Sequence, residues 1–165
     1  MGSRRRARAI ALQILCAMEK QPDLSVDQAI GLYFRHLASD FAPGHDDLDE
    51  DSASPGGDEL ESSAEATDYR RFSEDLVRGV RLTITELDEL LSRCSRNWRL
   101  ERMSWVDRNL LRLASYELSR NSDTPARVAI NEAIEVAKRY GTTESPAFIN
   151  GVLDRVLGEI GRASA

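Results

Sequence analysis

From Ser145 onward the chain places Phe148, Ile149, Val152, Leu153, Val156, Leu157 and Ile160 at spacings of three and four. That period gathers the apolar side chains on one face of an α-helix, whereas a strand would need strict alternation. The same pattern recurs along the sequence, and no segment shows strand alternation. The constraint is therefore strong: helices with one apolar stripe each must bury those stripes against one another.

The expected elements follow from where the stripes start and stop. Ala7, Ile10, Ala11, Ile14 and Met18 mark one face of a helix over about 4–20, with Ser3 as N-cap and Pro22 closing it. Ser25 and Gln28 fit a capping box opening a helix over 26–38, with Val26, Ala29, Ile30, Tyr33, Phe34 and Leu37 as its stripe. Tyr69, Phe72, Leu76, Val80, Leu87 and Leu91 track one face of a long helix over 68–95, in which Gly79 allows close packing. Ser104, with Asp107 three positions on, opens a helix over 105–120. Ile130, Ala133, Ile134, Ala137 and Tyr140 define the next, ended by Gly141 and starting either at Pro125 or with Asn131 as cap. Ser145 with Pro146 starts the last. The sum is an all-α fold, a bundle of six or seven helices forming a single domain over 1–165.

Residues 40–66 break the rhythm. They are rich in Asp, Glu, Ser, Gly and Pro and cannot bury enough apolar surface to offset ordering, so a flexible acidic insertion is expected there. This segment distorts the charge balance. Residues 40–68 carry 11 acids and no Lys or Arg; without them the chain has 17 acids against 22 bases, or +5, where the whole chain is −6. An acidic total thus conceals a basic body, and a low isoelectric point does not exclude nucleic acid as a partner.

Several classes of chemistry have no footing. Two histidines, His36 and His45, stand apart from any cysteine cluster, so no zinc site is expected. There is no Gly-rich phosphate loop and no nucleophile elbow. Cys16 and Cys94 form no disulfide framework and are expected as buried small hydrophobes. No run approaches the roughly 18 apolar residues of a membrane span, and the basic N-terminus leads into an amphipathic helix rather than a secretion signal. A cytoplasmic protein that is not an enzyme and needs no cofactor is the expectation.

Arg4, Arg5, Arg6 and Arg8 crowd the first turns of the first helix, on the face expected to be exposed. Cations at a helix N-terminus oppose the macrodipole, each at a cost of about 0.3–1 kcal/mol. A cluster held where it disfavours the helix points to a partner, and the arginine fork suits phosphate. A second basic stripe, "SRCSRNWRLER", spaces Arg93, Arg96, Arg99 and Arg102 three apart. There Trp98 and Leu100 are expected to anchor the segment to the core, leaving no exposed aromatic for stacking.

These residues carry a resemblance. "RRRAR" at 4–8, "NWRLERMSWVDRNLLRLASYEL" at 97–118, "PARVAINEAIEVAKRYG" at 125–141 and "FINGVLDRV" at 148–156 together resemble the NusB family of transcription antitermination factors. The resemblance implies two packed helical subdomains, binding of boxA-type RNA in ribosomal RNA leader transcripts, a heterodimer with NusE, and entry into the RNA polymerase antitermination complex. A homodimer is compatible with it, and a membrane is not a partner. It implies RNA contacts at Arg4, Arg5, Arg6, Arg8 and Phe148, and a NusE surface at Asp107 and Glu144. Asn131 and Asn150 belong to its motifs and are assigned to satisfying buried backbone groups. Cys16 and Ala147 stand where relatives carry a tyrosine and a basic residue. Two other readings remain: an RNA-binding module working with a separate ribosomal RNA methyltransferase, and a pure protein-interaction adaptor.

Overall fold

A computed structural model describes residues 3–37, 63–120 and 123–163. Among the described residues there are seven α-helices and no strand: α1 (Ser3–Lys20), α2 (Val26–Leu32), α3 (Ser63–Leu82), α4 (Ile84–Cys94), α5 (Trp105–Arg120), α6 (Ala126–Tyr140) and α7 (Ser145–Ala163). Most of the expected insertion at 40–66 lies outside the described residues. Its last four positions open α3 instead, since Ser63-Ala64-Glu65-Ala66 contains good helix formers.

Helix α5 is the hub, packing against α1, α3, α4, α6 and α7. Leu110, Leu113 and Ala114 are buried at helical spacing, but burial extends to Asn109, Leu111, Arg112, Ser115 and Glu117. A hub helix has neighbours on most sides, so polar positions are enclosed together with apolar ones. Helix α1 is likewise enclosed on more than the one expected face. Leu12 and Leu15 are buried alongside Ala7, Ile10, Ala11 and Ile14, because α1 is shared between α3 and α5.

The start signals are made as expected. Ser25 accepts from Gln28 N while the Gln28 side chain accepts from Ser25 N, closing the capping box of α2. Ser104 Oγ accepts from Asp107 N at 3.1 Å. Pro125 stands at the N-cap position of α6, which settles that helix's start in favour of the proline. Helix α2 departs from expectation by widening into one π-helical turn over Tyr33–Leu37. That turn carries buried Tyr33 and half-buried Phe34, whose rings meet edge to face at 5.3 Å.

The helix expected over 68–95 is two helices. Thr83 separates them with φ −115° and ψ 17°. Its hydroxyl donates back to Gly79 O at 2.8 Å, and three consecutive β-branched residues, Thr83-Ile84-Thr85, disfavour continuation. The apolar period runs on through the break, so periodicity alone could not reveal it.

Gly79 does what its position suggested. A Cβ there would lie 2.1 Å from Cζ of Tyr116, so the ring of Tyr116 on α5 occupies the space that a side chain on α3 would need. We predict that Gly79→Ala lowers stability by about 1–3 kcal/mol in urea unfolding, through overpacking. In a Tyr116→Ala background, where the ring is gone, the same substitution should cost far less.

Candidate nucleic-acid interface

The four arginines at the start of α1 fan out to three other helices. Arg5 donates from Nε and Nη2 to the Glu132 carboxylate of α6 at 2.7 and 2.9 Å. The Arg4 guanidinium lies 5.0 Å from the ring centre of Phe72 and that of Arg6 lies 4.6 Å from Tyr69, both rings on α3. These are cation–π distances.

Arg8 corrects the sequence reading. It is not on an exposed face but 4% exposed, in a fork-to-fork pair with Glu117 of α5. Its Nε lies 3.0 and 3.1 Å from the two carboxylate oxygens, and Nη2 donates at 2.8 Å. The cost expected for positive charge at this helix end is thus largely met inside the fold. Glu117 and Glu132 neutralise two of the four cations, and the hydrogen bond from Arg5 holds the Glu132 carboxyl below its ordinary pKa.

A second ionic cluster ties the other end of α1 to α5. Glu19 accepts from Arg108 Nε and Nη2 at 2.9 and 2.8 Å and from Arg112 Nη1 at 2.8 Å. Arg112 continues to Asp88 of α4 at 2.7 and 2.9 Å. Arg8 pairs with Glu117 and Glu19 with Arg108, so α1 and α5 run antiparallel. Burial works against the charge on Glu19, but the hydrogen bonds from Arg108 and Arg112 outweigh it and hold its pKa below the ordinary value.

The remaining expected site residues stand near that second end. Asp107 is half-buried in the first turn of α5, and its Oδ1 is a buried acceptor without a partner among the described residues. Glu144 is exposed just before α7, and half-buried Phe148 packs in the first turn of α7. The arginines and the Asp107 end therefore occupy opposite ends of α1 rather than one cluster. Cys94 is buried as expected. Cys16 is only half-buried, its thiol 3.6 Å from Trp105 O, and burial pushes its pKa up to about 11. Asn131 and Asn150 are exposed, so neither satisfies buried backbone groups.

Trp98 is the largest departure. It is 61% exposed, not anchored in the core, and meets Phe148 edge to face with ring centres 5.9 Å apart. Leu100 alone makes the expected anchor. Sequence reasoning also missed Lys20, which stands 5.0 Å from the half-exposed ring of Trp105. Its only signal was a cation in the last turn of the helix.

Among the described residues, no group of three or more His, Cys, Asp or Glu side chains is placed to hold a metal, and no helix is long and apolar enough to cross a membrane. What the fold defines is an all-helical protein with one arginine-bearing helix end and an aromatic–acidic opposite end. Residues 5–158 match the model of the NusB family. The transcription antitermination protein NusB of Syntrophotalea carbinolica is 41% identical over 157 residues, covering 94% of this chain and 92% of the relative. That of Geobacter sulfurreducens is 42% identical over 160 residues, covering 97% of each. The chain belongs to the NusB family. A solved T. maritima NusB superposes with a TM-score of 0.69 at 36% identity, covering 94% of this chain and 91% of that one. The fold is also that of NusB in a crystal structure of antitermination factors NusB and NusE in complex with dsRNA, with a TM-score of 0.70 at 18% identity, covering 96% of this chain and 98% of that one.

Arg8→Ala leaves Glu117 charged and buried, and should cost about 3–5 kcal/mol in urea unfolding. Arg8→Met with Glu117→Leu should recover most of that loss, whereas Arg4→Ala should stay within about 0.5 kcal/mol of the parent. The lowered pKa of Glu19 means that its stabilisation is fully present above its ordinary value of 4.5 and is lost as pH falls through the lower folded value. Acid unfolding followed by circular dichroism should show a weaker pH dependence in Glu19→Gln than in the parent as pH falls from 4.5 towards the folded value.

Proposed function

We propose that this protein is a transcription antitermination factor that acts by binding rather than catalysis. In this reading it takes boxA-type RNA of ribosomal RNA leader transcripts, pairs with NusE, and joins the RNA polymerase antitermination complex in the cytoplasm. The observation that carries the reading is near-full-length identity of about two residues in five to transcription antitermination proteins. The arginine end of α1 supplies a physical route to phosphate.

Within that reading the four arginines divide their work. Arg4 is exposed and Arg6 half-buried, each lying over an aromatic ring that an RNA base can extend by stacking. Arg5 reaches RNA while sharing its charge with Glu132. Arg8, enclosed with Glu117, positions α1 rather than touching RNA. Phe148 is assigned to the RNA surface, and Asp107 and Glu144 to the NusE surface. In this reading Asp107 offers NusE an acidic side chain in the first turn of α5.

Arg4→Ala with Arg6→Ala should weaken boxA RNA binding at least tenfold in fluorescence anisotropy while leaving helical content unchanged. Parent-like affinity in that double variant would sink the RNA reading of the arginine end. Asp107→Ala should weaken NusE binding in calorimetry without altering the affinity of the free protein for RNA.

A further inference from the structure

The connection between α4 and α5 carries a second basic element, and the structure gives it something that its sequence did not promise. Arg96, Arg99 and Arg102 are all exposed, and none makes a side-chain hydrogen bond or ion pair among the described residues. Their neighbour Arg93 is 3.5 Å from Glu159, and Arg155 donates to Cys94 O at 3.2 Å. The one acid in the stretch is exposed Glu101, so three uncommitted cations face one carboxylate. Between them stands Trp98, 61% exposed, beside an open groove of about 450 Å³ lined by Arg96, Arg99 and Arg102. The edge-to-face contact with Phe148 holds the indole, most of which stays exposed to solvent.

The platform is built rather than draped. Trp98 N donates to Ser95 O at 2.9 Å, and buried Ser95 donates through its hydroxyl to Leu91 O at 2.7 Å. Leu100 is buried, and its carbonyl accepts from Arg108 Nη1 at 2.8 Å, with Met103 O taking the same nitrogen at 3.2 Å. Arg108 is itself fixed by Glu19. The backbone carrying Trp98 and the arginines is thus pinned to the ionic cluster between α1 and α5. A side chain held in place loses little entropy on binding, which favours recognition.

We propose that this face is a second single-stranded RNA subsite, with Trp98 stacking a base and Arg96, Arg99 and Arg102 contacting the flanking phosphates. The proposal rests on the RNA-binding reading given above and extends it from Phe148, which Trp98 touches, onto the connection between α4 and α5. The chemistry selects the occupant. An exposed indole asks for a flat apolar partner, and three unpaired guanidiniums ask for an anion. A single strand answers both demands along its whole length, offering an unstacked base and a phosphate on each nucleotide. A duplex hides its bases from the indole.

The test uses the full chain and three RNAs: a boxA-type core, and the core extended by about eight unpaired nucleotides on its 5′ or its 3′ side. Because the chain has two tryptophans, Trp105→Phe leaves Trp98 as the sole tryptophan, whose emission is read under excitation selective for indole. Expected is quenching of Trp98 by one of the extended RNAs. Trp98→Ala should weaken binding of that RNA about tenfold. The triple variant Arg96→Ala, Arg99→Ala, Arg102→Ala should weaken it comparably and reduce the steepness of log affinity against log salt by about 2, for three single-strand phosphates. Circular dichroism confirms that the variants remain folded. Parent-like affinity for every RNA in both variants overturns the subsite. So does loss of NusE binding with RNA affinity intact, which would assign the face to protein. The Arg4 and Arg6 double variant separates the two readings. If core binding depends on it while the extensions and Trp98 change nothing, only the second subsite falls; if the parent binds none of the RNAs, both readings fall.

Discussion

The structure depends on how α1 and α5 are bound to each other. They lie antiparallel, fastened near one end by Arg8 with Glu117 and near the other by Glu19 with Arg108 and Arg112. Apolar contact between two helices tolerates sliding and rotation by small steps. One buried charge pair and one half-buried ionic cluster at separate points do not, because any shift parts charges that are shielded from water. The register they set is inherited by every helix that packs on α5, and by the direction in which the first turn of α1 points. The arginine end can therefore be displayed against α3 and α6 without relying on an extended N-terminal arm.

That arrangement gives charge three distinct jobs within one motif. The cluster looks uniform in sequence, yet Arg8 is a strut, Arg5 is shared between Glu132 and solvent, and Arg4 and Arg6 ride over aromatic rings. The internal carboxylates also answer an electrostatic difficulty. Four cations within five residues of a helix start would otherwise disfavour the very turn that presents them. The same economy appears at the opposite end, where Arg108 both joins the ionic cluster and pins the backbone below Trp98.

Much of this was legible from local pattern. The stripes of α6 and α7, the capping box at Ser25, the cap at Ser104 and the tight approach at Gly79 all depend on neighbours within a few residues, where spacing carries the information. What escaped depends on residues far apart in the chain. Glu117 is 109 positions from Arg8, so nothing local distinguishes a buried arginine from a solvated one. The break at Thr83 escaped because the apolar period continues across it. Trp98 escaped because an aromatic beside a leucine reads as core unless the turn that directs it outward is known. In the interface, residue types pointed to phosphate, but only packing separated the arginines that face outward from the one that faces in.

The enclosure of Arg8 has a consequence for genetics. On the proposed RNA reading of the arginine end, a screen for lost antitermination would score substitutions at all of positions 4, 5, 6 and 8, and the cluster would look like one functional unit. The mechanism of loss would differ. A change at Arg4 removes charge from the surface of a protein that is still present, while a change at Arg8 shifts the folding equilibrium and exposes the chain to cellular proteases, lowering its abundance. Alleles at position 8 would then be temperature-sensitive and rescued by second-site changes at Glu117, on a helix that no one mapping an RNA contact would think to search.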